Sequence, residues 1–217
     1  MTWPVSLLTA ARDPQFFLAL AASFVVAIAL HEASHAFVAG WLGDATPRFY
    51  FRRTLNPIAH LDVFGTLALA VLGLGWGKPV PVNPTNLRGG ALRSMALVAL
   101  SGPAANLLTA VLIAVLVRAG LIDGLQWSFG LVLLQTLFTT SIFLTVFNLF
   151  PVPPLDGFTL LLAILDRDTA YRLRAINRQI TMAFFGILLL AYFVRIDLLG
   201  AVTRPPAEFV ARLILGV

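Results

Sequence analysis

The sequence has no cysteine and few charged residues, and both absences limit what the protein can be. Without cysteine, neither disulfide bonds nor thiolate metal ligands are available. Only 12% of the 217 residues are charged while 59% are hydrophobic, which is a poor fit to a soluble domain. The net charge of +5 suits basic loops beside a membrane, whereas a nucleic-acid-binding surface would need a basic soluble face that this chain lacks. The composition therefore predicts a polytopic membrane protein.

Long apolar runs indicate where the chain crosses the membrane. We predict an all-α polytopic membrane protein with residues 1–217 in a single membrane-embedded domain. About four runs are long enough to cross as helices, at residues 16–42, 91–117, 127–150 and 180–199. Residues 207–215, after two prolines, are predicted to form a short amphipathic helix at the interface, with Phe209, Val210, Leu213 and Ile214 towards lipid.

Residues 61–76 are apolar but short and rich in glycine, which favours a re-entrant hairpin or strand segment over a full crossing. Basic residues support this topology. With four crossings, and not counting Arg212 of the predicted interfacial helix, ten of them lie on one side and four on the other, which places the more basic loops in the cytoplasm and both termini outside. The alternative, a full crossing by residues 61–76, would divide the basic loops between the two sides.

The first predicted membrane helix carries ionisable residues at membrane depth. Residues 16–30 contain no charge, and His31, Glu32 and His35 follow directly. Histidines four residues apart on a helix lie on one face, about 40° apart and roughly 6 Å along the axis. Both imidazoles can therefore reach one zinc ion, with Glu32 beside it. Because such groups are expensive in hydrocarbon, they indicate a functional site, and the chemistry predicted is hydrolysis at a zinc ion.

A third protein ligand is required, since a catalytic zinc has three as a rule. Asp156 is the best candidate, because prolines break the chain before it and an acidic residue at such a break can point inward. At ~1.5 Å per residue and a ~30 Å hydrocarbon core, His31 lies within roughly 10 Å of the cytoplasmic boundary, near the depth expected for Asp156. Asp44 and Asp62 are nearer in sequence but belong to a polar loop. A helix-capping role for Asp156 is the alternative.

Two asparagines lie in the predicted membrane helices. Asn106 and Asn148 are costly there unless they are hydrogen-bonded. They are candidates for binding a substrate backbone or stabilising an oxyanion, and interhelical hydrogen bonding is an equally consistent role.

Three motifs, in chain order, resemble the site-2 protease family: His31-Glu32-x-x-His35, Gly102-Pro103-x-x-Asn106, and Asn148-x-x-Pro151 followed by Leu155-Asp156-Gly157. Residues 56–62 and 75–81 are similar to the bacterial subgroup with a minimal membrane core, although Val63 stands where that subgroup often has proline. The chain lacks room for the PDZ or nucleotide-sensing domains of larger members.

The resemblance implies an intramembrane zinc metalloprotease with zinc on His31, His35 and Asp156. It also implies Glu32 as the catalytic base and Asn106 and Asn148 as polar groups near the substrate. We therefore expect an intramembrane endopeptidase with one zinc per chain, in a bacterial plasma membrane, with its active site towards the cytoplasm. Its partners would be membrane lipid and a transmembrane protein substrate. A zinc transporter and a catalytically inactive scaffold are the alternatives.

Overall fold

A computed structural model describes residues 13–72, 75–122 and 128–216. These residues are mostly helical, and no named strand occurs among them; Leu61 and Gly77 form one isolated antiparallel bridge. The α-helices in this part of the chain are α1 Pro14–Trp41, α2 Thr46–Phe49, α3 Val63–Leu72, α4 Ala91–Arg118, α5 Ser128–Asn148, α6 Asp156–Ile164, α7 Arg167–Ala175, α8 Asn177–Phe193 and α9 Leu198–Leu215.

Three of the described helices, α1, α4 and α5, are long and apolar enough to cross a membrane. Their bounds agree with the predicted ones within two residues at each end, because long apolar runs with very few charges determine them. Asp13 caps α1 by accepting hydrogen bonds from the backbone of Gln15 and Phe16. A bent pair, α7 and α8, with 59° between its helices, has the composition of a fourth span.

Helix α1 is the centre of the packing, because it contacts both α4 and α5 while those two contact each other. One apolar cluster joins Leu20, Phe24 and Ile28 of α1 to Phe143 and Leu144 of α5. Alanines of α1 are completely buried and let the neighbouring helices approach closely: Ala19, Ala27, Ala36 and Ala39. The consequence is that the polar residues in the second half of α1 are enclosed by protein.

The C-terminal region differs from the prediction. The predicted helix at 180–199 ends at Phe193, and α9 begins at Leu198, where Asp197 caps it, instead of at residue 207. Helix α9 continues through Pro205 and Pro206, because only two intrahelical donors are lost there, Thr203 before the prolines is buried, and the residues after them pack against α4 and α5. Of the residues predicted to face lipid, Phe209 and Leu213 are exposed, but Val210 and Ile214 pack into the bundle.

Residues 61–76 were predicted to form a re-entrant hairpin or a strand segment. Their described part contains helix α3, so the strand segment is wrong there, while a re-entrant path stays a prediction. Asp62 favours the helix because its side chain accepts a hydrogen bond from the Gly65 backbone at 2.8 Å, and Leu69 of α3 is buried against α1. The stretch that returns, residues 75–82, has no helix and is called the arm below. It passes so close to Gly65 that a Cβ there would lie 2.1 Å from the carbonyl oxygen of Trp76.

Candidate metal centre

Three potential ligands meet where α1, α4 and α6 come together. The Oδ2 atom of Asp156 lies 3.1 Å from Nε2 of His31 and 3.3 Å from Nε2 of His35. The two imidazole rings are nearly perpendicular, with centroids 4.7 Å apart. Among the described residues, these three form the group of His, Asp and Glu side chains that is arranged to hold a metal ion.

The donor set fits zinc. Ligand atoms bound tetrahedrally at about 2.0–2.1 Å are about 3.3 Å apart, close to the distances between Asp156 and the histidines. Oδ2 of Asp156 is buried and has no hydrogen-bond partner in the described part of the chain, as expected for an oxygen that faces a cation. A nitrogen–nitrogen–oxygen set suits zinc better than calcium or magnesium, which prefer oxygen ligands.

The ring tautomer of His35 is determined by the backbone of α4. Its Nδ1 lies 2.7 Å from the Val98 carbonyl oxygen, which can only accept, so Nδ1 carries the hydrogen and Nε2 keeps its lone pair. The Ser101 hydroxyl, 3.3 Å from the same nitrogen, also donates to that carbonyl. His35 is therefore prepared to bind a metal through Nε2.

Gly102 provides the space that the two rings occupy. A Cβ at this position would lie 2.5 Å from Nε2 of His35 and 2.6 Å from Nε2 of His31. Only a residue without a side chain allows α4 to pass this close to both imidazoles.

Asp156 is the first residue of α6. The residue that caps this helix is Leu155, and no side chain caps it, so the capping alternative is wrong for Asp156. Gly157 allows the turn to fold back, since a Cβ there would lie 2.2 Å from the Leu149 carbonyl oxygen. The break after α5 thus directs the Asp156 carboxylate to the histidines.

Glu32 lies beside the metal centre and under the arm. A Cβ on Gly77 would lie 3.0 Å from Oε1 of Glu32, so the arm crosses directly over this carboxylate. Glu32, His31, His35 and Asp156 line a cavity of about 630 Å³. The rest of its lining is mostly apolar and includes residues of the arm, α4, α5 and α8: Trp76, Val80, Met95, Phe147, Phe185 and Leu188. The cavity can hold a stretch of peptide beside the carboxylate.

Comparisons with known proteins decide the family. YwhC of Bacillus subtilis, named as a candidate zinc metalloprotease, is 38% identical over 147 residues, which are 65% of this chain and 67% of that protein. The family model that matches residues 122–192 is described as Peptidase family M50. The chain belongs to peptidase family M50. Rip2 of Mycobacterium tuberculosis, similarly named, is 31% identical over 180 residues, which are 81% of this chain and 68% of that protein.

Rip2 of Mycolicibacterium smegmatis is 34% identical over 158 residues, 70% of this chain and 60% of that protein. No solved structure matches the chain. The family confirms the resemblance to site-2 proteases and the prediction of a metalloprotease.

The two asparagines of this M50 peptidase lie in different surroundings. Asn148 lines the cavity, and its Nδ2 donates to the Leu144 carbonyl at 2.9 Å. Asn106 is completely buried, does not line the cavity, and has its amide nitrogen 3.2 Å from Nδ1 of His31. The structure therefore brings Asn148 to the cavity and Asn106 to the back of a ligand histidine.

Sequence reasoning missed the side chains that hold the arm of the M50 peptidase. Arg52 is buried and donates to the carbonyl oxygens of Lys78 and Pro79, the latter at 3.1 Å. The Lys78 backbone donates to the His60 carbonyl at 2.7 Å. His60 is completely buried, and its burial lowers its pKa. Nothing in the local sequence distinguishes Arg52 from the exposed arginines nearby.

Proposed function

We propose that the chain is an intramembrane zinc endopeptidase in which His31, His35 and Asp156 hold one zinc ion per chain. The observation that carries this proposal is the approach of one buried Asp156 oxygen to the Nε2 atoms of both histidines, at 3.1 and 3.3 Å. Glu32 beside them supplies the fourth functional group of a metallopeptidase.

The zinc ion, Glu32 and Asn148 would each have a separate role in hydrolysis. Zinc, when bound, supplies a Lewis acid that polarises the scissile carbonyl and lowers the pKa of water. Glu32 acts as general base by taking a proton from the attacking water, and then donates it to the leaving amine nitrogen. Asn148 lines the same cavity and is placed to hydrogen-bond the substrate backbone.

The substrate class follows from where the cavity lies. Its walls are mostly apolar and come in part from helices with the length and composition of membrane spans. A transmembrane segment of another protein fits this surrounding, provided that it unwinds locally so that a peptide bond reaches Glu32. The arm lies beside the cavity and can pair with an unwound segment through its backbone, and membrane lipid covers the exposed apolar faces.

The topology we propose has four crossings, the last of them formed by α8, with residues 61–76 re-entrant. Basic residues of the loops and of α7 then lie in the cytoplasm of a bacterial cell, with the active site towards that face of the plasma membrane. In this cysteine-free chain, Trp41→Cys is expected to react with a membrane-impermeant thiol reagent from the cytoplasmic side only, and Leu121→Cys from the outside only. Both positions are exposed. The reverse labelling would contradict this orientation.

The decisive experiment compares wild type with Glu32→Gln in liposomes that contain a model transmembrane peptide. Removing the general base is expected to lower cleavage by about 10²- to 10⁴-fold while zinc content stays at one per chain. Asp156→Ala is expected to lose zinc, and Asp168→Ala, at an exposed site, to keep it. Equal cleavage by wild type and Glu32→Gln would contradict the mechanism, and full zinc in Asp156→Ala would remove Asp156 from the site.

The same liposomes test the transporter alternative. Residues 16–30 offer no polar path to the far side of the membrane, which disfavours transport. Zinc flux into sealed vesicles that persists in Glu32→Gln would favour a transporter instead.

A further inference from the structure

Asn106 stands apart from the other polar residues near the metal centre. It is completely buried and lies behind His31, on the side of the ring away from Asp156. Its second amide atom, Oδ1, has no hydrogen-bond partner among the described residues. A buried amide with one end on a ligand histidine and the other end unsatisfied calls for a function beyond packing.

The proposed zinc site determines what His31 presents to Asn106. If His31 binds through Nε2, the atom that faces Asp156, its neutral ring carries the hydrogen on Nδ1. That hydrogen needs an acceptor, and Nδ2 of Asn106, at 3.2 Å, is a donor. Rotating the amide by 180° exchanges nitrogen and oxygen in nearly the same volume and places Oδ1 against the ring.

We propose that Asn106 is a positioning residue of the zinc site, whose Oδ1 accepts the Nδ1 hydrogen of His31 and fixes the orientation of that ring. This inference rests on the proposed zinc function. Ligand histidines almost always donate their second nitrogen to an oxygen, and the two acceptors here would both come from α4. The Val98 carbonyl accepts the Nδ1 hydrogen of His35, and the Asn106 side chain would accept that of His31. Gly102 lies between these two residues on α4.

The spacing on α4 supports the assignment. Residues 98, 102 and 106 are four apart, so they lie nearly in line on the helix face that meets α1. The two helices run antiparallel here. His31 lies against Asn106, and His35, which comes later in α1, lies against Val98, which comes earlier in α4. One helix face therefore provides an acceptor for each histidine and a gap for both rings.

The rotated amide leaves Nδ2 in need of an acceptor, and α5 offers one at the right depth. Thr145 of α5 donates to the Pro103 carbonyl of α4 at 3.2 Å. Asn106 lies three residues beyond Pro103, and Ser141 lies four residues before Thr145 on the antiparallel helix, so both lie at similar depth. The Ser141 hydroxyl is buried and has no partner in the described part of the chain.

The test uses zinc itself as the probe and two variants of similar size. The intact chain is purified in detergent, its zinc affinity is measured by chelator competition, and its absorption spectrum is recorded with cobalt in place of zinc. Asn106→Leu, which cannot accept, is expected to bind zinc about 10- to 100-fold more weakly and to alter the cobalt spectrum. Asn106→Asp, which accepts as the amide oxygen does, is expected to stay within about threefold of wild type.

The two variants separate positioning from packing. Wild-type affinity and spectrum in Asn106→Leu would overturn the proposal, and so would an Asn106→Asp variant as weak as Asn106→Leu. If the leucine variant does not fold, a tenfold loss in the aspartate variant alone overturns it. Full zinc binding by His31→Ala would remove the zinc site and this inference together, whereas zinc affinities as expected without any proteolysis would count against the proposed function alone.

Discussion

The metal centre and the chain between α1 and α4 place their polar groups in different ways. In the metal centre, helix periodicity sets the spacing of His31 and His35. The facing helix, α4, supplies the Val98 carbonyl that accepts from His35 and, at Gly102, the space for both rings. In residues 42–90, called the connecting segment here, buried side chains bind backbone atoms far away in sequence. Arg52 holds carbonyls of residues 78 and 79, and Asp44 accepts from the backbone of Asn83. Regular helices bring the ligands together, while irregular hydrogen bonds hold the arm above them.

The largest expected effect comes from adding a side chain at Gly102, where α4 leaves space for the two histidine rings. Gly102→Ala places a Cβ about where the rings of His31 and His35 now lie, so the ligands must move apart. We expect zinc affinity to fall at least ~100-fold, since the loss of an outer contact alone costs 10- to 100-fold. Gly186→Ala on α8, where a Cβ meets nothing within 4 Å, is the matched control. Chelator competition measures both, and wild-type affinity in Gly102→Ala would show that the metal centre tolerates movement of α4.

A smaller effect is expected from releasing the arm. Arg52→Met keeps much of the side-chain volume but removes the donors to Lys78 and Pro79. Because the arm lines the cavity, we expect peptide cleavage to fall ~10- to 100-fold with zinc content unchanged, as a displaced wall misplaces substrate. Arg48→Met, at an exposed position, is the control. If Arg52→Met lost zinc as well as cleavage, the connecting segment would hold the metal ligands in place and not only the arm, contrary to the comparison above.

The same contrast explains how much the sequence predicts. The long helices and the pair His31 and His35 are predictable, since apolar runs and a four-residue spacing are local signals. Asp156 is predictable from the prolines that end α5. The burial of Asp44 and Arg52 is not, because their partners, apart from Thr46 beside Asp44, lie 26–42 residues away along the chain.

Two further features depend on tertiary packing. Asn106 is recognisable as a costly polar residue, but only the fold shows that it lies behind His31 and not in the cavity. Two prolines disfavour a helix locally, but α9 continues through them because its residues after the prolines pack against α4 and α5.

The smallest expected effect concerns the start of the connecting segment and its dependence on pH. Burial alone would raise the pKa of Asp44, but hydrogen bonds donated to its carboxylate by Thr46, Asn86 and Asn83 outweigh burial and hold the pKa below its ordinary value. A carboxylate with a lowered pKa in the folded state stabilises the fold above its unfolded pKa of ~3.9. That contribution is lost as the pH falls from about 5 through the folded pKa.

Asp44→Asn tests this contribution. The amide keeps the shape but replaces one acceptor by a donor that faces the backbone N–H of Asn83, so we expect a loss of about 1–3 kcal/mol in the free energy of unfolding near pH 7. The loss begins to shrink below about pH 5 and shrinks further towards about pH 2, because wild type itself weakens over that range. Thermal unfolding in detergent across this pH range measures the difference, with Asp168→Asn as an exposed control.

Zinc affinity is expected to stay at the wild-type value, since the Asp44 hydrogen bonds hold the loop and not the ligands. A difference that is constant from about pH 7 to about pH 2 would show that packing, and not the carboxylate charge, stabilises this end of the connecting segment.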